Sequence, residues 1–280
     1  MAKVLLSAFA DEYSNDIDVQ IELCREQKIS YLEPRFVGEK NIADLSAAEA
    51  RQLKEKLGEI KVSSIGSPLG KINLADDFQA HLEKTKRVFE TANILDTRNV
   101  RMFSFYLHAG KTRQECRAEV MDKLGQMIDL AKVYDVTLCH ENEAEIYAES
   151  PELCQDILDT FHGELKCVFD MGNFVLGGFD PYTEAYPRLK KYIQYFHIKD
   201  ALAAGAVVPP GCGEGRIKEI LDNYLSEFNR DVVITLEPHL QTFDGINALV
   251  GRCFDNPFKY ETQEAAFMDA LKRIKNMFVE

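Results

Sequence analysis

No Cys-x-x-Cys pair occurs in the chain, no apolar run approaches the ~18 residues that cross a bilayer, and basic charge is scarce. The seven cysteines, an odd number, are scattered from Cys24 to Cys253. Those in Leu138-Cys139-His140 and Lys166-Cys167-Val168 sit inside apolar runs and are expected as buried thiols. A reducing compartment is therefore expected. The opening Met-Ala-Lys-Val-Leu-Leu-Ser turns polar too soon for a signal peptide, so a cytoplasmic location with no membrane partner is expected. Lys plus Arg is 33 against 46 Asp plus Glu, a net charge of −13. Such a surface repels phosphate backbones, and no nucleic-acid partner is expected. One local basic pocket stays open, since net charge says nothing about a single cleft. Glycine is missing where a dinucleotide site would need it. The first strand runs into Ala8-Phe9-Ala10-Asp11-Glu12 with no G-x-G-x-x-G, and there is no Walker lysine loop.

What the chain does have is alternation. Hydrophobic residues make up 46% of 280 positions, enough for a full core. Short β-rich runs fall at Lys3–Phe9, Tyr31–Phe36, Lys61–Ser67, Asn99–Phe105, Val136–Asn142, Leu165–Asp170, Ile193–Lys199 and Asp231–Pro238. Helical patterns lie between and after them, near 16–27, 46–58, 77–94, 113–133, 151–161, 181–191, 216–226 and 262–277. Ser46 and Glu49 form a capping box, and Asp180-Pro181 sets an N-cap before a first-turn proline. Gly58 and Gly163 fall where helices should stop. Eight βα repeats without a Gly/Ser-rich linker predict an α/β fold, a single (β/α)₈ TIM barrel domain over residues 1–280. The active site of such a barrel lies at the C-terminal ends of its strands.

The last four strands end in His140-Glu141-Asn142, Phe169-Asp170-Met171-Gly172-Asn173, Phe196-His197-Ile198-Lys199-Asp200 and Leu236-Glu237-Pro238-His239. Strand side chains alternate in direction. Val232, Ile234 and Leu236 form an aliphatic outer face, which turns Glu237 inward; the same rule puts Thr137, Cys139 and Glu141 inside. Three carboxylates aimed at one small volume repel each other and lose hydration, and a divalent cation relieves both costs. Glu141, Asp170, His197 and Glu237 are thus the expected ligands of one divalent metal ion. Three oxygens and one imidazole favour Mn²⁺ or Mg²⁺ and permit Zn²⁺.

The same residues carry a resemblance. Ser-Phe-Tyr after strand four, His140-Glu141-Asn142, Phe169-Asp170-Met171-Gly172-Asn173, His197-Ile198-Lys199-Asp200, Gly211-Cys212-Gly213-Glu214-Gly215 and Glu237-Pro238 resemble the xylose isomerase-like TIM barrel superfamily of sugar phosphate isomerases and epimerases. The resemblance maps that family's metal quartet onto Glu141, Asp170, His197 and Glu237. It implies that the two glutamates double as acid/base groups on opposite faces of the substrate. One position departs: ketose epimerases of this kind often carry a histidine three residues after the metal aspartate, where this chain has Asn173.

The implied function is a metal-dependent isomerase or epimerase of a small sugar or sugar phosphate. Moving a proton beside a carbonyl creates an enediolate; a cation stabilises it, one carboxylate removes the proton and another returns it. Glu141 and Glu237 suit either isomerisation or epimerisation. Candidate substrate contacts are Asn142, Asn173, Lys199, Lys71, Glu33, Arg35 and His239. Glu33 and Arg35 share an inward face, to grip hydroxyls or to pair with each other. Lys71, after strand three, is placed to meet a phosphate or carboxylate. Arg101 is expected to be structural, and His140, facing away from Glu141, to pack. The Gly211–Gly215 loop is a candidate lid or anion nest. Two alternatives remain: a metal-dependent dehydratase or lyase of polyols such as an inosose, and an inactive sugar-binding barrel. Carboxylates paired to Arg or Lys would favour the latter. The sequence leaves a homo-oligomer open.

Overall fold

The computed structural model describes residues 2–240 and 258–278. Seven strands form one parallel sheet in the order β1–β13–β10–β9–β8–β7–β6. They are β1 (Val4–Ala8), β6 (Ile65–Leu69), β7 (Asn99–Met102), β8 (Thr137–Glu141), β9 (Lys166–Asp170), β10 (Ile193–Ile198) and β13 (Val232–Leu236). The remaining gap, between β1 and β6, is spanned by β2 (Tyr31–Leu32) and β5 (Lys61–Val62), which pair in parallel. Single backbone bonds stitch this section in. Glu33 N–H donates to Ala8 O (3.1 Å), Ser63 N–H to Leu32 O (2.9 Å) and Gly66 N–H to Pro34 O (3.0 Å). The sheet curls into a TIM barrel with helices outside.

Strand two is shorter than its sequence predicts. Pro34 has no N–H to give a ladder, and Phe36 leaves the barrel wall. It enters a two-stranded hairpin of β3 (Phe36–Val37) and β4 (Lys40–Asn41). Strand three is split into β5 and β6. A second small hairpin, β11 (Asp200–Ala201) with β12 (Val207–Val208), follows β10.

The helices start where the capping residues say. They are α1 (Ile17–Glu26), α2 (Ala47–Leu57), α3 (Phe78–Ile94), α4 (Arg113–Val133), α5 (Pro151–Thr160), α6 (Met171–Leu176), α7 (Tyr186–Leu189), α8 (Ile217–Phe228) and α9 (Gln263–Phe278). Ser46 and Glu49 make the full reciprocal capping box, Gly58 ends α2 at φ +61°, and Asp180 caps the turn opened by Pro181. Gly163, at φ +84°, follows the end of α5 by three residues. The predicted helix 181–191 is helical but changes pitch, a π turn over Pro181–Ala185 leading into α7. In α8, Ile217, Ile220, Leu221 and Tyr224 are buried at i, i+3, i+4, i+7, the stripe that seats it on the sheet. Each such aliphatic side chain contributes roughly 1.5–3 kcal/mol by leaving water.

Most of the core lies between sheet and helices, where Ile234, Leu236, Leu138 and Phe196 point outward. A separate inner plug of Cys139, Val168 and Tyr195, with Val233 packed on it, fills the barrel axis below the site. Alternation read from the sequence therefore holds in the late strands. Cys139 and Cys167 are buried, as expected, and Cys253 lies outside the described residues. Among the described residues no helix is long and apolar enough to cross a membrane.

Candidate functional site

β8, β9, β10 and β13 end beside one another, and each releases one ionisable side chain into the barrel mouth. Ligand atoms of Glu141, Asp170, His197 and Glu237 all lie within 4.8 Å of one another. All four side chains are buried.

His197 is the pivot. Its Nδ1 faces Glu141 Oε1 (2.8 Å) and Glu237 Oε2 (3.2 Å), and its Nε2 faces Glu33 Oε2 (3.2 Å). Burial alone would drive its proton off, but Glu141, Glu33 and Glu237 outweigh it and hold the ring well above the usual histidine range. Glu141 is pushed up by burial, yet His197 and Arg101 bring it down to about 2. Glu237 is likewise held below the carboxylate range, against burial, by Lys199, His239 and His197. Asp170 goes the other way: burial pushes it up to about 7, with Lys199 opposing.

Lys199 Nζ donates to Asp170 Oδ2 (3.1 Å), Asn173 Oδ1 (3.1 Å) and Glu237 Oε2 (3.3 Å). Its close packing needs Gly172, because a Cβ there would stand 2.7 Å from Lys199 Cγ. Asp170 also caps α6, accepting Asn173 N–H at 2.7 Å. Asn142 exchanges two hydrogen bonds with the Asp170 backbone (3.0 and 3.1 Å), and Asn173 Nδ2 donates to Asn142 O (2.9 Å). The two asparagines thus hold Asp170 in place.

Glu33 and Arg35 do not pair with each other. Glu33 is fully buried and accepts from Tyr195 (2.9 Å) and Thr235 (2.7 Å) as well as facing His197. Both Glu33 oxygens are thus engaged within the protein. Arg35 instead binds Asp11 (2.8 Å), Glu12 (3.3 Å) and Glu237 (3.2 Å). His239 sits at the rim, its side chain 41% exposed, with Nε2 3.2 Å from Glu12. Lys71 meets a carboxylate of the protein itself, Glu143 at 2.9 Å, and lies over the Phe103 ring. His140 packs on the outer face, bonded to Ser104 Oγ at 3.0 Å. The Gly211–Gly215 loop does make a nest of N–H groups, but the Asp200 carboxylate fills it, accepting from Gly211, Gly213 and Gly215 at 2.8–2.9 Å.

Two site residues, Asp11 and Glu12, escaped the sequence, and Arg101 was expected only as a structural residue. Arg101 is buried in the mouth and reaches Glu141 (3.1 Å) and Glu237 (3.8 Å). Its guanidinium lies over Phe9 and Phe103, 5.0 and 5.1 Å from their ring centroids. The signal was available: an arginine between Val100 and Met102, on the inward face shared with Phe103. Asp11 and Glu12 lie on a 3₁₀ turn after β1, where no periodicity applies. Burial pushes Glu12 up to about 8, against Arg35.

The donor set fits a dication. Asp11, Glu12, Glu33, Glu141, Asp170 and Glu237 are six carboxyl groups against three permanent cations, Arg35, Arg101 and Lys199. Even a protonated His197 leaves acid in excess; burial, with neighbouring carboxylates adding to it, raises Asp170 and Glu12. The Glu33 contact at Nε2 leaves Nδ1 as the ring atom turned to Glu141 and Glu237, as a second carboxylate commonly orients a metal-binding histidine.

Residues 21–240 match the family model described as xylose isomerase-like TIM barrel. No curated protein matches the chain. Among solved structures, IolI with a bound zinc atom superposes with a TM-score of 0.73 at 20% identity, over 99% of this chain and 98% of that one. The probable 3-DHS dehydratase AsbF of Bacillus anthracis gives 0.70 at 18%, over 99% of each. D-psicose 3-epimerase from Clostridium cellulolyticum H10, solved with D-tagatose, gives 0.72 at 13%, over 97% and 98%.

Proposed function

Because the chain belongs to the xylose isomerase-like TIM barrel family, we propose that it is a divalent-metal-dependent isomerase or epimerase of a small sugar or sugar phosphate. The observation that carries this is the convergence of Glu141, Asp170, His197 and Glu237 within 4.8 Å. These four would hold one ion, Mn²⁺ or Mg²⁺ before Zn²⁺ on donor type. Neighbouring folds crystallised with zinc and with magnesium are consistent with a divalent ion. Bound there, the ion supplies a Lewis acid for the negative charge that develops on a carbonyl oxygen.

The chain's own residues do the rest. Glu141 and Glu237 both stay ionised, and they approach the centre from staves five and eight. One takes the proton beside the carbonyl; the other returns a proton only after taking one up from solvent. Glu33 keeps the His197 ring oriented with Nε2–H directed at itself. Arg101 and Arg35 hold the two glutamates apart from each other's charge. Asn142 and Asn173 fix Asp170, and Asn173 with Lys199 presents polar groups to the substrate.

One observation favours an inactive sugar-binding barrel: Arg101, Lys199 and Arg35 already pair with Glu141, Asp170 and Glu237. A single experiment separates the two. Chelator-treated protein is given Mn²⁺, its metal content is measured, and ketoses, their phosphates and inososes are screened in D₂O. The expected result is one ion per chain and deuterium at the carbon that changes. Failure to take up stoichiometric metal sinks the proposal; uptake without exchange on any compound leaves the binding barrel.

A further inference from the structure

Glu237 belongs to a second group of ligand-type atoms as well as to the first. Glu12, Glu237 and His239 offer two carboxylates and an imidazole whose atoms lie within 4.8 Å of one another. His239 Nε2 stands 3.2 Å from Glu12 Oε1 and 3.7 Å from Glu237 Oε1. Asp11 adds another acid beside them. Its side chain is only 6% exposed, and its Oδ1 is buried with no hydrogen-bond partner among the described residues. Carboxylate oxygens and an imidazole nitrogen at this spacing are what a divalent ion takes.

A side chain already stands in that position. Arg35 Nη1 lies 3.2 Å from Glu237 Oε1 and 3.3 Å from His239 Nε2, Nη2 lies 3.3 Å from Glu12 Oε1, and Nε lies 2.8 Å from Asp11 Oδ2. The guanidinium thus touches every member of the group. It carries donors only, so His239 meets it with a bare Nε2, the same lone pair that a metal uses. The arginine is also anchored from behind. Its own carbonyl accepts Ile42 N–H (2.9 Å), and the carbonyl of Pro34 accepts Gly66 N–H (3.0 Å). A Cβ on Gly66 would stand 3.3 Å from Arg35 Cβ, so the backbone has no slack there. The Phe9 ring lies under the guanidinium, its centroid 4.6 Å from Cζ. A dication entering this group meets a fixed positive charge at contact distance, and in a buried site that repulsion is weakly screened.

Resting on the metal reading of Glu141, Asp170, His197 and Glu237, we propose that Arg35 is a built-in cation that keeps a second divalent ion out of the group formed by Asp11, Glu12, Glu237 and His239. Its removal opens that group as a metal site. The two ions then share the Glu237 carboxylate, which belongs to both groups.

The test counts ions. Metal-free protein is brought to equilibrium by dialysis against Mn²⁺, manganese per chain is measured, and electron paramagnetic resonance reads whether ions interact. The native chain should hold one isolated ion. Arg35→Ala should hold two, with the signal of an exchange-coupled pair bridged by Glu237. Arg35→Gln, which removes the charge but keeps polar bulk, should do the same and serves if the alanine variant does not fold. Arg35→Lys keeps the charge and should stay at one. Adding His239→Ala to Arg35→Ala should return the count to one. Two ions in the native chain or in Arg35→Lys overturn the proposal. So does a count that does not rise in folded Arg35→Ala or Arg35→Gln, or one that stays at two when His239 is also removed. One isolated ion in every form leaves the quartet reading standing and removes this one. A native chain without any ion, whose Arg35→Ala form gains one that His239→Ala abolishes, does the reverse.

Discussion

Staves one to four and staves five to eight of the barrel enclose the same centre by different means. In the late half, β8, β9, β10 and β13 pair in parallel, and each delivers a proposed ligand from a strand end. In the early half, β2 is two residues long, strand three is split, and the β6–β7 register shifts between Ile65 and Leu69. That half contributes Glu33, Arg35 and Arg101, which touch the ligands rather than joining them, and Asp11 and Glu12, which reach them through Arg35. The contrast separates two jobs. Longer strands, with one register shift between Ile193 and Tyr195, hold the groups that must keep fixed positions, while the short, split section turns buried polar residues inward to balance charge.

Breaking this division should show first in stability. Arg101→Met removes a buried cation from Glu141 and from the carbonyls of Gly66 and Ser67, to which it donates at 3.2 and 3.4 Å. Loss of one partner of a buried pair costs about 3–5 kcal/mol. Denaturant unfolding of the metal-free variant checks it, and a change under about 1 kcal/mol would show that the early half is not the counterion store described.

Next comes turnover in the late half. Glu237→Gln keeps an oxygen donor and removes the base. Proton exchange on the true substrate should fall about 10²-fold or more, with metal content largely retained. A Glu237→Gln chain with its metal and near-full activity would move the base to another residue.

A smaller effect joins the halves. Glu33→Gln removes one carboxylate charge from the site and weakens the hold on His197 Nε2. Metal affinity is expected to fall by 10–100-fold. Calorimetry reads the affinity, and ¹⁵N shifts of the His197 ring read which nitrogen carries the proton. Unchanged affinity together with an unchanged tautomer would reduce Glu33 to packing.

The smallest effect is one of pH and belongs to the early half alone. His81 Nε2 accepts Gly70 N–H at 3.1 Å, pinning the turn that Gly70 makes at φ +82°, where a Cβ would stand 2.0 Å from Phe103 O. Burial, with Lys84 and Lys123 nearby, pushes His81 down to about 4. A histidine depressed on folding stabilises the protein fully above its unfolded value near 6.5, and that stability drains as pH falls toward 4. About 1 kcal/mol should be lost between pH 7.5 and 5.5. His81→Gln keeps an acceptor without a titrating ring, so the variant should lose less over the same interval. Equal losses would place the acid sensitivity elsewhere.

What the sequence made legible follows the same line between halves. Period-two alternation predicted Glu141 and Glu237 inward because β8 and β13 are unbroken, and the inner plug of Cys139 and Val233 shows the rule at work. It failed at strand two, where Pro34 ends the ladder, and gave no handle on Asp11 and Glu12, which follow a strand on a 3₁₀ turn. Arg101 was readable as inward but not as an ion-pair partner, since pairing depends on which strands close the ring. Glu33 and Arg35 share a face, and only the three-dimensional neighbours divide them between His197 and Asp11.

Asp200 gives the loop between β10 and α8 an unexpected character. Three glycines in five residues ordinarily mean amide protons that trade with solvent quickly and independently. Here the N–H groups of Ala201, Gly211, Gly213 and Gly215 all hang on the two oxygens of one buried carboxylate. None of them can open far without releasing that shared acceptor. Their hydrogen exchange should therefore slow and share a common rate, so that the loop opens as one unit rather than fraying residue by residue.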